Sequence, residues 1–588
     1  MATAVEQHST QGTGIESFNE TAEAFLTLAL AHGSSKIFIN PGTDTFPIQE
    51  SWARRMEQSL PVPLPVQCLH EHVAVAAAHG YYLATGDPQV VLVHVDAGTI
   101  NAGGALHNAQ RGDAGIVMCA GRAPYTWEGE LRGGKSSIIH WYQEQPDQAG
   151  ILRNYVKWHY ELSRSENVAG IVERAFQVAR NEPAGPVYLT LPREVLMLPA
   201  QNVRFPDARH SGPATAPAPD RAAIERAAVM LAGAERPVIV AARNGRDHKS
   251  VPELVKLAEL IGARVVDSRH AMNMPHSHPL NVGGNDAAEL PKADVILFLD
   301  SDVLYVPNLV RPNPDAKVIQ IDVDPVHERY VIWNFPVDLR ITSSTALALP
   351  ALRAAVEDVL TNAQQQRVVQ RAREIGLESE QQRAAAKSRA EGKATTNPMD
   401  PEWVAYCVAQ VMPEDALLVD ESLTNRPATH AHVKRDEPGS VFFCGGSSLG
   451  FAIGAAIGVK LARPDRPVIS MVGDGGFMFG HPVPAIWGAQ KHGAPSLTVI
   501  YNNAGYKASG RNSIQNMYPE GVIAKTGDAV VDMFDPPPDH AKVAEACGAY
   551  GVKVSDPGEL PAALRKAMDE VLHGRSAVVD AVVKKANL

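Results

Sequence analysis

Two stretches, RPVISMVGDGGFMFG at residues 466–480 and SLTVIYNNAG at 496–505, decide how this chain is read. Each opens with a short run of β-branched and apolar residues, the pattern of a buried strand. Each run then stops on a polar turn, Gly473-Asp474-Gly475-Gly476 in the first and Asn502-Asn503-Ala504-Gly505 in the second. A helix-length segment carrying Trp487 and Ala489 lies between them, and Asp474 and Asn503 are 503 − 474 = 29 residues apart. That separation matches one strand–helix–strand crossover, which returns the chain beside its starting point. Both turns then sit at the carboxyl edge of one parallel sheet, where open α/β sheets bind ligands. The glycines let backbone amides approach an anion. One carboxylate, one amide oxygen, one backbone carbonyl and two oxygens of a diphosphate fit the near-octahedral shell of hard oxygens that Mg²⁺ takes at about 2.1 Å. GDG alone is a common turn; GDG and NN together, each at a strand end, form a specific pattern.

The strand–helix rhythm extends outward from this point. KIFINPG at 36–42, VVLVHVDAG at 90–98, AGIVMCAG at 114–121 and PVYLTLP at 186–192 read as strands, with helices such as HVAVAAAHGYYLA between them. The Pro/Ala-rich segment 204–220 reads as a linker. A second α/β unit follows from PVIVAA at 237–242 to AKVIQIDVDP, and it has no Walker or Rossmann glycine fingerprint. Residues 361–398 are charged and helix-prone with a sparse apolar stripe, the mark of a solvated connecting helix. The fold class is therefore α/β, with a mainly parallel sheet flanked by helices in each of three domains, at 1–203, 221–350 and 399–588, and with connecting segments at 204–220 and 351–398.

With 588 residues, 45% hydrophobic and 20% charged, the chain has the composition of an ordinary globular protein. Its net charge of −11 comes without a basic block, which argues against a nucleic-acid partner. Five scattered cysteines without a C-x-x-C pair fit reduced thiols. No export signal or membrane span is read, and the expected location is cytoplasmic.

The GDG…NN pair resembles the cofactor signature of the thiamine-diphosphate-dependent decarboxylase and acetolactate-synthase superfamily. By that resemblance Asp474, Asn503 and the carbonyl of Gly505 bind Mg²⁺, while Gly473, Gly475 and Gly476 line the diphosphate; the family often has Ser at the position of Gly476. GGSSLGFAIGAAIG at 445–458 resembles the segment that bends the cofactor into a V, with Leu449 as the prop and the Ser447 carbonyl accepting from the aminopyrimidine. VDESLTN at 419–425 resembles the diphosphate loop and implies Ser422 and Thr424 as hydroxyl donors. VQCLHEHVAVAAAHGYYLATG resembles the family's activating helix, so Glu71 is the carboxylic acid that hydrogen-bonds the cofactor's pyrimidine N1′. Without the family pattern, a glutamate at a helix start is more often a surface residue favoured by the helix dipole. His70, His72 and His79 lack metalloprotease spacing and read as structural.

Around Glu71 the resemblance narrows to the benzoylformate-decarboxylase type. Asn40-Pro41-Gly42-Thr43 matches its N-P-G-S turn, which places Thr43 beside substrate, and VLVHVDAGTINAGGALHNAQ puts His94 at the position of its catalytic histidine. That family's middle-domain histidine has no counterpart near VLYVPN. HWYQEQPDQAG instead resembles the F-Q-E segment of acetolactate-synthase-like enzymes, with Gln143 approaching the adduct. Flavin-site motifs are not recognisable in 205–345, which speaks against FAD. The resemblance implies pyrimidine-binding, central and diphosphate-binding domains in a homodimer or homotetramer with active sites between subunits. It also implies chemistry on a small 2-oxo acid, whose decarboxylation yields an enamine. Missing one histidine and carrying Gln143, the chain leans towards a carboligase that transfers this enamine to an acceptor aldehyde or ketone. Simple decarboxylation, cleavage of a 2-hydroxy carbonyl compound and a non-catalytic regulatory subunit are the alternatives.

Overall fold

The computed structural model describes residues 14–205, 212–268, 271–506, 508, 513–526 and 531–584; part of the segment read as a linker, 206–211, lies outside them. Three sheets carry the architecture, each entirely parallel. The first has the strand order Leu64–Gln67, Lys36–Ile39, Gln89–Val93, Ile116–Arg122, Val187–Pro192, His159–Glu161. The second runs Arg264–Asp267, Pro237–Ala241, Val295–Leu299, Lys317–Asp322, Leu339–Thr342. The third runs Val441–Phe442, Leu417–Glu421, Val468–Gly473, Leu497–Asn502, Ala577–Val582, Tyr550–Val554. The central strands are buried along their length, as expected of parallel sheets covered on both faces.

The strand expected over 90–98 is shorter. It ends at Val93, and His94 precedes a helix, Val95–Asn101. Asp96 favours that switch because its carboxylate accepts the N–H of Ala97 at 2.8 Å and sits in the helix's first turn. Ahead of the linker, Ala200–Arg204 pairs antiparallel with Ile15–Phe18, a pairing across the whole first sheet domain that no local pattern announces. The charged stretch is one 30-residue helix, Asn362–Glu391, opened by a capping box between Thr361 and Gln364. Residue 350 lies inside another helix, Thr345–Val359.

Packing groups the chain into two compact units that cut across its linear order. One comprises Met1–Ala214, Cys444–Pro464 and Met478–Ala494; the other comprises Thr215–Phe443, Asp465–Phe477 and Pro495–Leu588. Within the first unit, helix Phe451–Ala462 lies against helix Glu71–Thr85 at backbone contact distance. A Cβ on Gly458 would sit 1.8 Å from the Ala77 carbonyl oxygen, and one on Gly80 would sit 2.2 Å from that of Ala455. Small residues one turn apart on each helix are what permit this approach.

Candidate active site

In the first unit Glu71 is the first residue of helix Glu71–Thr85, whose N-cap is the His70 side chain accepting the N–H of His72 at 3.1 Å. The glutamate is buried, 5% exposed. Its two carboxylate oxygens accept from the Asn40 amide at 2.9 Å and the Asn101 amide at 3.1 Å. Gly98 leaves the room: a Cβ there would come within 3.2 Å of Glu71 Oε1. The carboxyl group is thus held by two uncharged donors in a dry pocket, not exposed as a dipole-favoured surface residue. Neither asparagine was singled out from the sequence, because each reaches Glu71 across 30 residues or more of chain.

Two residues on from Asn40, Gly42 packs against His94, and His94 Nδ1 is hydrogen-bonded to Asp44 Oδ1. That bond holds the imidazole above its ordinary pKa, against the opposing effect of burial. Thr43 is exposed, and its carbonyl accepts from Arg193 at 3.4 Å. Gln143 is buried and lies beside His94. His140 is a further buried member: its Nδ1 accepts the N–H groups of Ser136 at 3.0 Å and Ser137 at 3.3 Å, and its Nε2 faces Arg193 at 3.3 Å. Burial, Arg193 and Lys135 lower its pKa.

The loop carrying Ser447 and Leu449 belongs to the same unit. The Asn108 side chain clamps it, donating to the Ser448 carbonyl at 2.8 Å and accepting the Ser448 N–H at 3.0 Å; His107 receives the N–H of Ser447 at 3.2 Å. Gly450 then turns the chain at φ +91° into helix Phe451–Ala462, and its carbonyl lies 3.2 Å from His72 Nε2. His79 is fully buried, and neither ring nitrogen has a hydrogen-bond partner. Burial takes its pKa down to about 3.

In the second unit the neighbouring strands Val468–Gly473 and Leu497–Asn502 run in register, Gly473 opposite Tyr501. Asp474 and Asn503 therefore leave adjacent strands at the same edge. Asp474 is 2% exposed; its carboxylate oxygens accept the N–H of Gly475 at 2.9 Å and of Gly505 at 3.0 Å. Burial pushes its pKa up to about 6. Gly475 lies so close to the Tyr506 ring that a Cβ would fall 2.5 Å from it. Ser422 is fully buried, and its hydroxyl donates to Asp420 at 2.5 Å, so it is already engaged within the protein. Burial opposes ionisation of Asp420, yet His430 and Arg426 bring its pKa down to about 2. Thr424 is half-buried in the turn Leu423–Asn425.

A support unread in the sequence lies behind the turn at residues 502–505. His540 Nδ1 lies 3.1 Å from Asp580, which accepts the Asn502 amide at 2.8 Å, while Asn502 Oδ1 accepts the N–H of Ala504 at 3.1 Å. All three side chains are buried. They hold the turn in which Ala504 takes φ +57°, a value uncommon for a residue other than glycine.

Family models for thiamine pyrophosphate enzymes match three successive parts of the chain: the N-terminal TPP-binding domain at residues 19–151, the central domain at 224–352 and the C-terminal TPP-binding domain at 424–581. This chain belongs to the thiamine pyrophosphate enzymes. Within the family it is 29% identical to a benzoylformate decarboxylase of Pseudomonas aeruginosa, over 81% of this chain and 84% of that protein. It is 26% identical to a sulfoacetaldehyde acetyltransferase of Rhodobacter capsulatus (96% and 94%) and 25% identical to the acetolactate synthase isozyme 3 large subunit of Escherichia coli (87% and 87%). The 4-hydroxybenzoylformate decarboxylase of Rhodococcus jostii RHA1 shares the fold, with TM-score 0.75 over 96% of this chain and 99% of that one, at 23% identity.

The residues of the second unit fit the family's metal–diphosphate group. Asn503 is buried and its Oδ1 has no hydrogen-bond partner, while Asp474 is a buried carboxylate whose partners are backbone amides. An orphaned amide oxygen and a desolvated carboxylate at one sheet edge are what a hard cation would satisfy. Among the described residues no cluster of three His, Cys, Asp or Glu could hold a metal, and no helix is long and apolar enough to cross a membrane.

Proposed function

We propose that the protein is a Mg²⁺- and thiamine-diphosphate-dependent enzyme that decarboxylates a 2-oxo acid and releases the remainder as an aldehyde. The observation carrying this reading is the company that Glu71 keeps: a buried carboxyl group held by two neutral amides, and close by in the same unit a histidine whose Nδ1 is tied to a carboxylate. Thiamine diphosphate, when bound, supplies the electron sink for the pair left behind as CO₂ departs. Glu71 would hydrogen-bond the pyrimidine N1′. Asp474, Asn503 and the Gly505 carbonyl would hold Mg²⁺, the amide of Gly476 and the hydroxyl of Thr424 would serve the diphosphate, the N–H of Gly475 being already given to Asp474, and Leu449 and the Ser447 carbonyl would set the cofactor's bend. Thr43 and Gln143 orient the 2-oxo acid, and His94 presents the proton that the product needs.

Transfer to an acceptor aldehyde or ketone is the second reading, supported by Gln143: its Oε1 is buried without a well-aligned hydrogen bond, an acceptor suited to the hydroxyl of an adduct. The paired histidine tips the balance towards protonation. Following the family, we place the pyrimidine-binding part at 1–203, the central part at 221–350 and the diphosphate-binding part at 399–588, in a homo-oligomer with sites shared between subunits.

Calorimetric titration of the full chain with thiamine diphosphate, with Mg²⁺ and with EDTA, tests the cofactor; no Mg²⁺-dependent binding would sink the reading. Pyruvate, benzoylformate and glyoxylate, each with and without an acceptor aldehyde, then separate the chemistries. Aldehyde as the main product in both arms supports the decarboxylase; hydroxyketone as the main product selects the carboligase.

A further inference from the structure

The Asp44–His94 pair occupies a slot that the backbone has been cut to admit. The side chain of Asp44 is 2% exposed and that of His94 26%. A Cβ on Gly42 would lie 2.0 Å from His94 Nδ1, and one on Gly121 would lie 1.7 Å from Asp44 Oδ2. Neither glycine has a positive φ, so the backbone does not demand glycine at either position; the space for the pair does. The second oxygen of Asp44 accepts the N–H of Val95 at 3.4 Å. Val95 is fully buried and takes φ +21°, a conformation that a β-branched residue rarely adopts. Such an outlier persists only where the surroundings over-determine it, and it sits immediately after the histidine.

The groups facing His94 come from several elements. Asp44 reaches it from the turn after strand Lys36–Ile39, and Asp96 from helix Val95–Asn101; both favour the imidazolium. Gln143 and His140 approach from the segment after strand Ile116–Arg122, Gln143 near enough to favour the charged form although its Oε1 makes no well-aligned hydrogen bond. Arg193 lies close to Asp44 and to His140. The negative side prevails, and His94 is held above its ordinary pKa.

We infer that Asp44 is the positioning residue for proton delivery: it grips His94 through Nδ1, so that Nε2–H becomes the donor to the carbon that has lost CO₂. The inference rests on the decarboxylase reading. In the balance, the C–C bond to the carboxylate breaks and leaves its electron pair on the former carbonyl carbon. The Nε2 proton takes up that pair as the new C–H bond of the aldehyde, and His94 regains a proton from water. One proton is consumed for each CO₂ released. Without Asp44 the imidazole is free to rotate, to take the other tautomer and to lose its proton at neutral pH.

The test is Asp44→Asn in the full-length chain, which keeps the shape and removes the charge. Diethyl pyrocarbonate modifies only neutral imidazole, so labelling of the His94 peptide against pH, read by mass spectrometry on cofactor-free protein, gives a midpoint independent of turnover. The expected result is a midpoint lowered by about one pH unit or more, together with aldehyde formation reduced about a hundredfold in the loaded enzyme. Gly121→Ala pushes on Asp44 without altering its charge and is expected to move both readouts the same way. An unchanged midpoint in Asp44→Asn overturns the inference, as does a shifted midpoint with wild-type aldehyde formation. Should Asp44→Asn fail to fold, Gly121→Ala decides by the same two criteria. A wild type inactive on every 2-oxo acid defeats the decarboxylase reading alone, and the labelling midpoint still decides for or against Asp44.

Discussion

Gly458→Ala probes the close backbone approach of two helices in the first unit. The added methyl would sit 1.8 Å from the Ala77 carbonyl oxygen and 2.7 Å from the Tyr81 nitrogen, both backbone atoms that no rotamer change can move. Real contacts of this kind do not fall below 3.0 Å, so helices Phe451–Ala462 and Glu71–Thr85 must part by at least 3.0 − 1.8 = 1.2 Å. Every residue from Phe451 to Val459 is buried, so the parting opens gaps along the interface too narrow for water. Overpacking of this kind costs about 3 kcal/mol, at the upper end of its range because backbone is struck. Alanine's better helix propensity returns about 1 kcal/mol. The net loss of about 2 kcal/mol lowers the melting temperature by about 4–8 °C for a unit of this size. Glu71, the proposed activating acid, is the first residue of the displaced helix, and a shift of about 1 Å at a catalytic group costs about a hundredfold in turnover. Thermal unfolding by circular dichroism and steady-state kinetics give the two numbers. Gly170→Ala is the control, since a Cβ there meets nothing within 4 Å, and it should melt no lower than wild type. A Gly458→Ala protein with wild-type melting and turnover would refute the packing argument.

Glu71→Gln sets an NH₂ against one of the two asparagine donors; turnover should fall by at least about a hundredfold while calorimetry still detects Mg²⁺-dependent cofactor binding, and a fully active variant would move the activating acid elsewhere. Asn503→Ala removes an oxygen that has no internal partner, so the metal-free protein should melt within about 2 °C of wild type, a change below about 1 kcal/mol, while Mg²⁺-dependent affinity drops at least about tenfold; intact affinity removes Asn503 from the metal shell. His79 stays neutral in the fold down to about pH 3, whereas in the unfolded chain it protonates below about 6.5. Its contribution to stability is therefore complete above pH 6.5 and is lost on acidification towards 3, at roughly 1 kcal/mol per pH unit. Urea midpoints from pH 7.5 to 5.5 should fall less steeply for His79→Leu, and identical slopes would count against a buried neutral His79.

The legible parts of the fold were those whose cause is local. Val468–Gly473 and Leu497–Asn502 announce themselves as apolar runs ending in polar turns, and the register of Gly473 against Tyr501 follows once one crossover joins them. The long helix Asn362–Glu391 was legible from its propensity and its sparse stripe. Edge strands such as Leu64–Gln67 and His159–Glu161 were not, being short, half-polar and held mainly by one neighbour. Site residues divide in the same way. Asp474 and Glu71 carry a pattern around them, but Asp44, Asn40, Asn101 and His540 take their meaning from partners 30 to 50 residues away. Ser422 matched a family loop, yet its hydroxyl is turned to Asp420, a preference set by a buried charge that no spacing reveals.

The composition of the first unit also bears on how the protein is made. Its sheet is complete by Ala214, but its helix layer needs Cys444–Pro464 and Met478–Ala494. On a ribosome adding about 5–20 residues per second, the stretch from 214 to 494 takes roughly 15–60 s to emerge. For most of that interval, until helix Phe451–Ala462 has been made, the face of helix Glu71–Thr85 that Gly454 and Gly458 later meet lacks that cover. The nascent amino-terminal third is then a natural client for holdase chaperones. Slower translation of the central third would lengthen its exposure and lower the yield of soluble protein without changing a single residue.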